Sequence, residues 1–244
     1  MGVKLFNTKV ADRANHVKIL CVRAKSRPRE AYPRSPRRCN TIMKWIQDPR
    51  EAGVSRISRL DRNDVTPDIA SLYDKVFAQR GNVPNMFRVM AHRPEIFSTM
   101  QAHFAAVLNT GTVPTRLKEL IIVRTSQLNE TPYCLASHTI LARNLGWTDD
   151  QLSHLADWPR RDDFTPSEKA AIRLAETVTR DANALGDEQF AELRGFYSEG
   201  EIVELLCAIG LFNYFNRFNN ALHMEPTKPG EGGCAPSIPA AMVK

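Results

Sequence analysis

The stretch RLKELIIVRTSQLNETPYCLASH, residues 116–138, decides how this chain of 244 residues folds. Pro114 stands just before it, where a proline commonly opens a helix, and a helix is predicted over residues 116–128. Residues 129–132 turn the chain, and a second helix is predicted over residues 133–146. Because the turn is only four residues long, the two helices are expected to be antiparallel neighbours.

This hairpin carries one thiol, one imidazole and one carboxylate. Cys134 and His138 are four residues apart, so they stand one turn apart on the same helical face, which Leu141 continues. That face is expected to point into a crevice. Glu119 lies on the first helix, and the antiparallel packing brings it within possible reach of the other two side chains.

The three side chains suggest a proton relay that activates a cysteine. A thiolate is the reactive form of cysteine, and both a nearby imidazolium and a helix N-terminus favour it. Cys134 has both, so its pKa is expected to be lowered. A carboxylate bonded to one imidazole nitrogen orients the ring and stabilises its cation. The predicted relay therefore runs from Glu119 through His138 to Cys134.

A structural interpretation of the same residues stays open. Buried free cysteines are common as small apolar residues, and a single histidine on an apolar face is more often a core residue than a catalyst. Glu119, beside Arg116 and Lys118, would more often be an exposed helix charge. Spacing alone does not decide between a catalytic hairpin and a packed one.

The net charge of +6 comes from the beginning of the chain. Residues 1–42 contain eleven Lys or Arg against two acidic residues, which leaves 22 basic and 25 acidic residues in the remainder. Residues 1–50 lack helical or strand periodicity and are predicted to be a basic, disordered arm. Without interleaved aromatic residues such an arm is usually solvated, so nucleic acid is not the expected partner. Met43, where the composition changes, is an alternative start.

The cysteines indicate a reducing, cytoplasmic setting. Five of them are scattered along the chain without Cys-x-x-Cys spacing, which favours neither a disulfide framework nor a zinc site, and no cofactor is expected. No apolar run reaches the length of a membrane helix, and the N-terminus has no segment of signal-peptide type. No membrane association is therefore predicted.

Helix signals continue outside the hairpin, and no segment alternates as a strand would. Three capping boxes begin at Thr148, Thr165 and Ser198, and prolines open helices at Pro67 and Pro94. The sequence therefore predicts an all-α fold of seven to nine helices. Further predicted helices are residues 66–81, 85–92, 94–108, 148–158, 165–184, 187–196 and 198–223. The last is apolar enough to be central, and residues 227–244 are expected to be a mobile tail.

The last predicted helix carries an unusual polar cluster after its apolar run. Its members are Asn213, Asn216, Arg217, Asn219 and Asn220. They could satisfy one another at a helix end or a subunit interface, because buried polar groups need partners. Alternatively, Arg217 and Asn213 could line a polar pocket for an acidic substrate.

Several of these segments resemble a known family. RLKELIIVR at residues 116–124, YCLASH at residues 133–138 and Gly146 resemble the carboxymuconolactone decarboxylase superfamily. NVPNMF at residues 82–87 and HRPE at residues 92–95 are similar to its peroxidase-related, alkylhydroperoxidase D-like branch. The resemblance implies an alkylhydroperoxidase D-like helical bundle over about residues 55–226, and a homo-oligomer.

The resemblance also implies site residues. Alkylhydroperoxidase D proteins have a Glu followed by Cys-x-x-Cys-x-x-x-His, which places the glutamate at Glu119, the second cysteine at Cys134 and the histidine at His138. The first cysteine falls on Thr131, so the disulfide of that site cannot form. A one-cysteine cycle on a small-molecule substrate would pass through a sulfenic acid reduced by an external thiol.

Two other functions remain open beside that peroxidase interpretation. A lyase of carboxymuconolactone decarboxylase type would act on a small carboxylated lactone, with His138 as acid or base and Arg217 or another cation holding the carboxylate. A non-catalytic helical oligomer would only bind a small ligand in the crevice. Substitutions of Cys134 and His138 would distinguish these functions from one another.

Overall fold

Helix follows helix through residues 55–226, the part of the chain that the computed structural model describes. Within it there are nine α-helices and no β-strand, so the predicted all-α class is confirmed. The predicted basic arm and mobile tail lie outside the described residues. The α-helices are α1 (Pro67–Arg80), α2 (Asn85–Met90), α3 (Pro94–Asn109), α4 (Thr115–Leu128), α5 (Pro132–Asn144), α6 (Asp149–Ser153), α7 (Pro166–Asp181), α8 (Asp187–Arg194) and α9 (Glu199–Ala221).

The predicted helix starts follow from local chemistry and are confirmed. Thr148, Thr165 and Ser198 each form a complete capping box, in which the side chain accepts a backbone N–H three residues on and the side chain there reaches back. Pro67 and Pro94 occupy first positions, where a missing N–H leaves no bond unmade. Among these nine helices, none is both long and apolar enough to cross a membrane.

The helix predicted over residues 148–158 is wrong in its second half. The α-helix α6 stops at Ser153, and a 3-10 helix, Leu155–Arg160, follows. Pro159 lies inside that segment. A proline lacks the N–H of an α-helical bond and its ring clashes with the carbonyl four residues earlier, so the tighter 3-10 turn replaces the α-helix.

The hairpin of α4 and α5 forms as predicted. Glu130 adopts a left-handed backbone conformation with φ 50°, and the N–H of Thr131 donates to the carbonyl of Ser126 at 3.0 Å. This bond satisfies one of the carbonyls that the end of α4 leaves open. The turn therefore returns α5 along α4, and the two helices are packed against each other.

Helix α4 is buried over most of its length, and the last helix, α9, is central as expected, because it is packed against α3, α4, α5, α7 and α8. Residues 117–126 of α4 are all buried, and the helix is packed against α5, α7 and α9. Helix α9 also buries much of its surface, but Val203 and Tyr214 remain exposed on it. Because residues 117–126 of α4 are buried, the charged residues among them must find partners inside the protein.

Candidate active site

The structure joins Glu119 of α4 to His138 of α5. Oε2 of Glu119 lies 2.7 Å from Nδ1 of His138, and both side chains are largely buried, with 5% and 12% of their surfaces exposed. Glu119 is therefore not the exposed helix charge that its neighbours suggested. An ionised carboxylate can only accept a hydrogen bond, so Nδ1 carries the proton. In the neutral ring the free electron pair is then on Nε2, which makes Nε2 the basic nitrogen.

An aromatic side chain completes the support of the imidazole. The ring of Phe212 on α9 meets the His138 ring edge to face, with centroids 4.7 Å apart. Phe212 is itself buried. The imidazole is thus held by a carboxylate at one nitrogen and by an aromatic face, an arrangement that fixes its orientation.

Cys134 lies on the third residue of α5, close to the helix N-terminus, and is almost completely buried, with 3% of its surface exposed. Burial raises the pKa of its thiol from the ordinary 9.0 to about 12, because a thiolate loses its hydration there. A hydrogen bond from Asn219 opposes this rise without cancelling it. The expectation of a lowered thiol pKa is therefore wrong: desolvation by burial is the largest cause of the shift, and the resting thiol is protonated at neutral pH.

Cys134 and His138 line one small cavity of about 60 Å³. This volume accommodates a few water molecules or a small polar group. The expected crevice is confirmed, and Glu119 lies behind His138. Apolar and aromatic side chains make up much of its wall, among them Met86, Phe87, Phe104, Leu141, Phe212 and Phe215.

The polar cluster of α9 divides into two parts. Arg217 donates to the side-chain oxygen of Asn213 at 2.6 Å, and Asn213 donates to Thr179 at 3.1 Å. These two residues satisfy each other and their neighbours, and neither lines the cavity with Cys134. Asn219 is different, because its amide nitrogen lies 3.5 Å from Sγ of Cys134.

Sequence reasoning did not place Asn219 or Arg80 at this site. Asn219 is 85 residues from Cys134, and Arg80 lines the cavity from the end of α1. Only the spacing of the asparagines on α9 was a signal, since Asn216 and Asn219 fall on the same face as Phe212. Within residues 55–226, no three His, Cys, Asp or Glu side chains are arranged as metal ligands would be.

Comparisons with known proteins agree with this fold. A model described as the carboxymuconolactone decarboxylase family matches residues 94–177. The uncharacterized protein YdfG of Bacillus subtilis (strain 168) is 35% identical over 106 residues, which cover 43% of this chain and 72% of YdfG.

Solved structures show the same fold. A peroxidase-related protein from Ralstonia eutropha JMP134, with an alkylhydroperoxidase AhpD core, has a TM-score of 0.66 and 24% identity, and the match covers 72% of this chain and 94% of that one. The debrominase Bmp8, in complex with 2,3,4-tribromopyrrole, has a TM-score of 0.62 and 22% identity over 73% and 94%. This chain belongs to the carboxymuconolactone decarboxylase family, and its fold is that of the alkylhydroperoxidase AhpD core.

Proposed function

We propose that the protein is a peroxidase-related oxidoreductase that reduces a small hydroperoxide with a single cysteine, Cys134. The observation that carries this proposal is the shared cavity of Cys134 and His138, with Glu119 hydrogen-bonded to the far nitrogen of the imidazole. A nucleophile, a base and a group that orients the base are the parts that such a reaction needs. The apolar wall of the cavity suits a small organic peroxide.

In the first step the proton of the Cys134 thiol passes to Nε2 of His138, directly or through a water molecule. The sulfur attacks the terminal oxygen of the hydroperoxide, the O–O bond breaks, and a sulfenic acid forms on Cys134. The proton on His138 then goes to the departing alkoxide, which leaves as an alcohol. Glu119 stabilises the transient imidazolium. Because the resting thiol is neutral, its deprotonation depends on this relay.

In the second step two thiols from outside the protein restore Cys134. The first displaces the sulfenic oxygen as water and forms a mixed disulfide, and the second releases the external disulfide and the Cys134 thiol. Within residues 55–226 the cysteines are Cys134 and Cys207, and both are free thiols. Because Thr131 occupies the family's first cysteine position, we expect the reductant to be an external thiol. A reducing, cytoplasmic setting would supply it.

We also infer a homo-oligomer. Val203 and Tyr214 are exposed on α9, with 58% and 44% of their surfaces accessible. Half-buried Cys207 and Phe218 lie beside them on the same side of the helix. An apolar stripe of this kind on a core helix is typical of a subunit interface.

The test is hydroperoxide consumption with dithiothreitol as reductant. We expect Cys134→Ser to lose turnover completely, whereas Cys207→Ser, a matched change of the second free cysteine, should retain it. Mass spectrometry after brief peroxide exposure should find oxidation on Cys134. Full turnover by Cys134→Ser would contradict the proposal.

A second candidate is a lyase that acts on a small carboxylated lactone. It is favoured by the protonated state of the buried Cys134 thiol and by the position of Arg80, which lines the cavity where a carboxylate could bind. Arg80 replaces Arg217 in this role, because Arg80 lines the cavity with Cys134 and Arg217 does not. His138→Ala would then abolish decarboxylation while Cys134→Ser is tolerated. If neither substrate class is turned over, the ligand-binding oligomer is the better description.

A further inference from the structure

Asn219 is a buried polar residue placed between two sulfur atoms of the cavity. Only 1% of its surface is exposed. Its amide nitrogen donates to Sγ of Cys134 at 3.5 Å and to Sδ of Met86 at 3.4 Å. Both sulfur atoms are weak acceptors. The amide is therefore held at the Cys134 sulfur by contacts that contribute little to folding.

The other end of the same amide has no partner among the described residues. Oδ1 of Asn219 is fully buried and accepts no hydrogen bond there. An unpaired buried acceptor costs about 1–3 kcal/mol. A leucine has a similar shape and would fill the space without this cost, so packing alone gives no reason for an asparagine. Among residues 55–226, no donor reaches this oxygen in the resting state.

We propose that Oδ1 of Asn219 accepts a hydrogen bond from the sulfenic acid of Cys134, and that Asn219 is the positioning residue that preserves this intermediate. The inference rests on the peroxidase function proposed above. Oxidation adds an O–H group to the sulfur that Asn219 already contacts. The new O–H supplies the donor that the amide oxygen lacks, while the resting thiol has the amide nitrogen as its partner.

The hydrogen bond protects the sulfenic acid against further oxidation. A sulfenic acid that loses its proton attacks a second hydroperoxide: a second S–O bond forms, the O–O bond breaks, and sulfinic acid and an alcohol are produced. Donation to Oδ1 keeps the proton on the sulfenic oxygen and lowers its nucleophilicity. A site with Thr131 in place of a resolving cysteine must hold the sulfenic acid until an external thiol arrives.

The matched pair of variants is Asn219→Leu and Asn216→Leu. Asn216 is also buried on α9, also has an unpaired side-chain atom, and is bonded to Ser126 at 3.2 Å. It therefore controls for the loss of a buried amide from this helix. Asn219→Ala is a smaller third variant that also removes the acceptor oxygen. Each protein is exposed to hydrogen peroxide without reductant and is then denatured in the presence of dimedone, and Cys134 is analysed by mass spectrometry.

We expect the ratio of sulfinic acid to dimedone-trapped sulfenic acid to rise about fivefold in Asn219→Leu, the change that one hydrogen bond of about 1 kcal/mol produces. Asn219→Ala should show a rise as well, and Asn216→Leu should keep the ratio of the unmodified protein. An unchanged ratio in Asn219→Leu, or an equal rise in Asn216→Leu, would overturn the role of Asn219 and leave the peroxidase function standing. No oxidation of Cys134 in the unmodified protein would remove both. If Asn219→Leu does not fold, Asn219→Ala decides, because an unchanged ratio in a variant without the acceptor oxygen contradicts the acceptor role.

Discussion

Two neighbouring residues of α4 show how differently the same helix uses a buried charge. Lys118 has 1% of its surface exposed, and its ammonium group donates to the carbonyls of Val107 and Thr110 at 2.8 Å and pairs with Glu204 at 3.0 Å. All three N–H groups of the lysine are therefore occupied. Such a charge can only hold the end of α3 and helix α9 against α4.

Glu119, the next residue, is also buried, with 3% of its surface exposed, but its partner is an imidazole that has a second ring nitrogen. It pairs with Nδ1 of His138, and Nε2 is left for proton transfer at the cavity of Cys134. The difference teaches that burial of a charge does not by itself mark a functional site. A buried charge that has all of its hydrogen bonds made is structural. A buried charge bonded to one nitrogen of an imidazole that lines a cavity is a candidate for a catalytic role.

The largest expected effect is on the stability of the fold. Lys118→Met should lower the free energy of unfolding by about 3–5 kcal/mol, because it leaves Glu204 and two carbonyls without their partner. Urea denaturation measures this loss. Glu119→Gln, which keeps a hydrogen-bond acceptor for His138, is the control and should be much less destabilising. Equal losses in the two variants would remove the contrast between the two residues.

The next largest effect is on the rate of hydroperoxide reduction. Glu119→Gln should lower kcat/KM for hydroperoxide reduction about 100-fold, since the imidazolium loses its counter-charge in the transition state. The measurement is steady-state peroxide consumption with the external thiol saturating. A variant with unaltered kcat/KM would show that Glu119 is as purely structural as Lys118.

Substitution of two glycines tests how firmly Glu204, the ionic partner of Lys118, is held in place. Gly111 and Gly146 have φ of 90° and 92°, so alanine is strained at both, by about 1 kcal/mol. An added Cβ at Gly111 would overlap the carboxylate of Glu204, whereas nothing lies within 4 Å at Gly146. Glu204 is bonded to the N–H groups of Thr112 and Val113 as well as to Lys118.

We therefore expect Gly111→Ala to be more destabilising than Gly146→Ala by about 1–3 kcal/mol, the cost of displacing a bonded carboxylate. Thermal and urea unfolding of the two variants give the comparison. If the two variants lose the same stability, the Glu204 side chain moves aside freely and the structural pair is weaker than its geometry indicates.

The smallest effect concerns the thiol that lacks a charged partner. The pKa of Cys134 is about 12 in the folded protein against an ordinary value of 9.0, so the unfolded chain loses this proton first as the pH rises. Its contribution to stability is complete below pH 9 and declines from there towards pH 12. Between pH 8 and pH 10 the unfolding free energy should fall by about 1 kcal/mol more in the unmodified protein than in Cys134→Ala. Parallel curves would show that the thiol is not protected by burial.

The sequence predicted the local structure of this protein well. Prolines and capping residues mark helix starts by chemistry within a few positions, and Thr165 with Glu168 needs nothing from the rest of the chain. The reach from Glu119 to His138 was predicted for the same reason, because a short turn between two helices leaves little choice of arrangement. Local rules failed at residues 148–158, where Pro159 favours a 3-10 turn.

What only the tertiary structure decided is the electrostatic state of these side chains. The sequence places Lys118, Glu119 and Cys134 on the hairpin, but α7 and α9 enclose it, and their packing makes the lysine internal and keeps the thiol protonated. The contact of Asn219 with Cys134 joins residues 85 positions apart. Helix signals act over one turn, whereas desolvation depends on everything packed around a group, so the hairpin could be read from the sequence and the chemistry of its thiol could not.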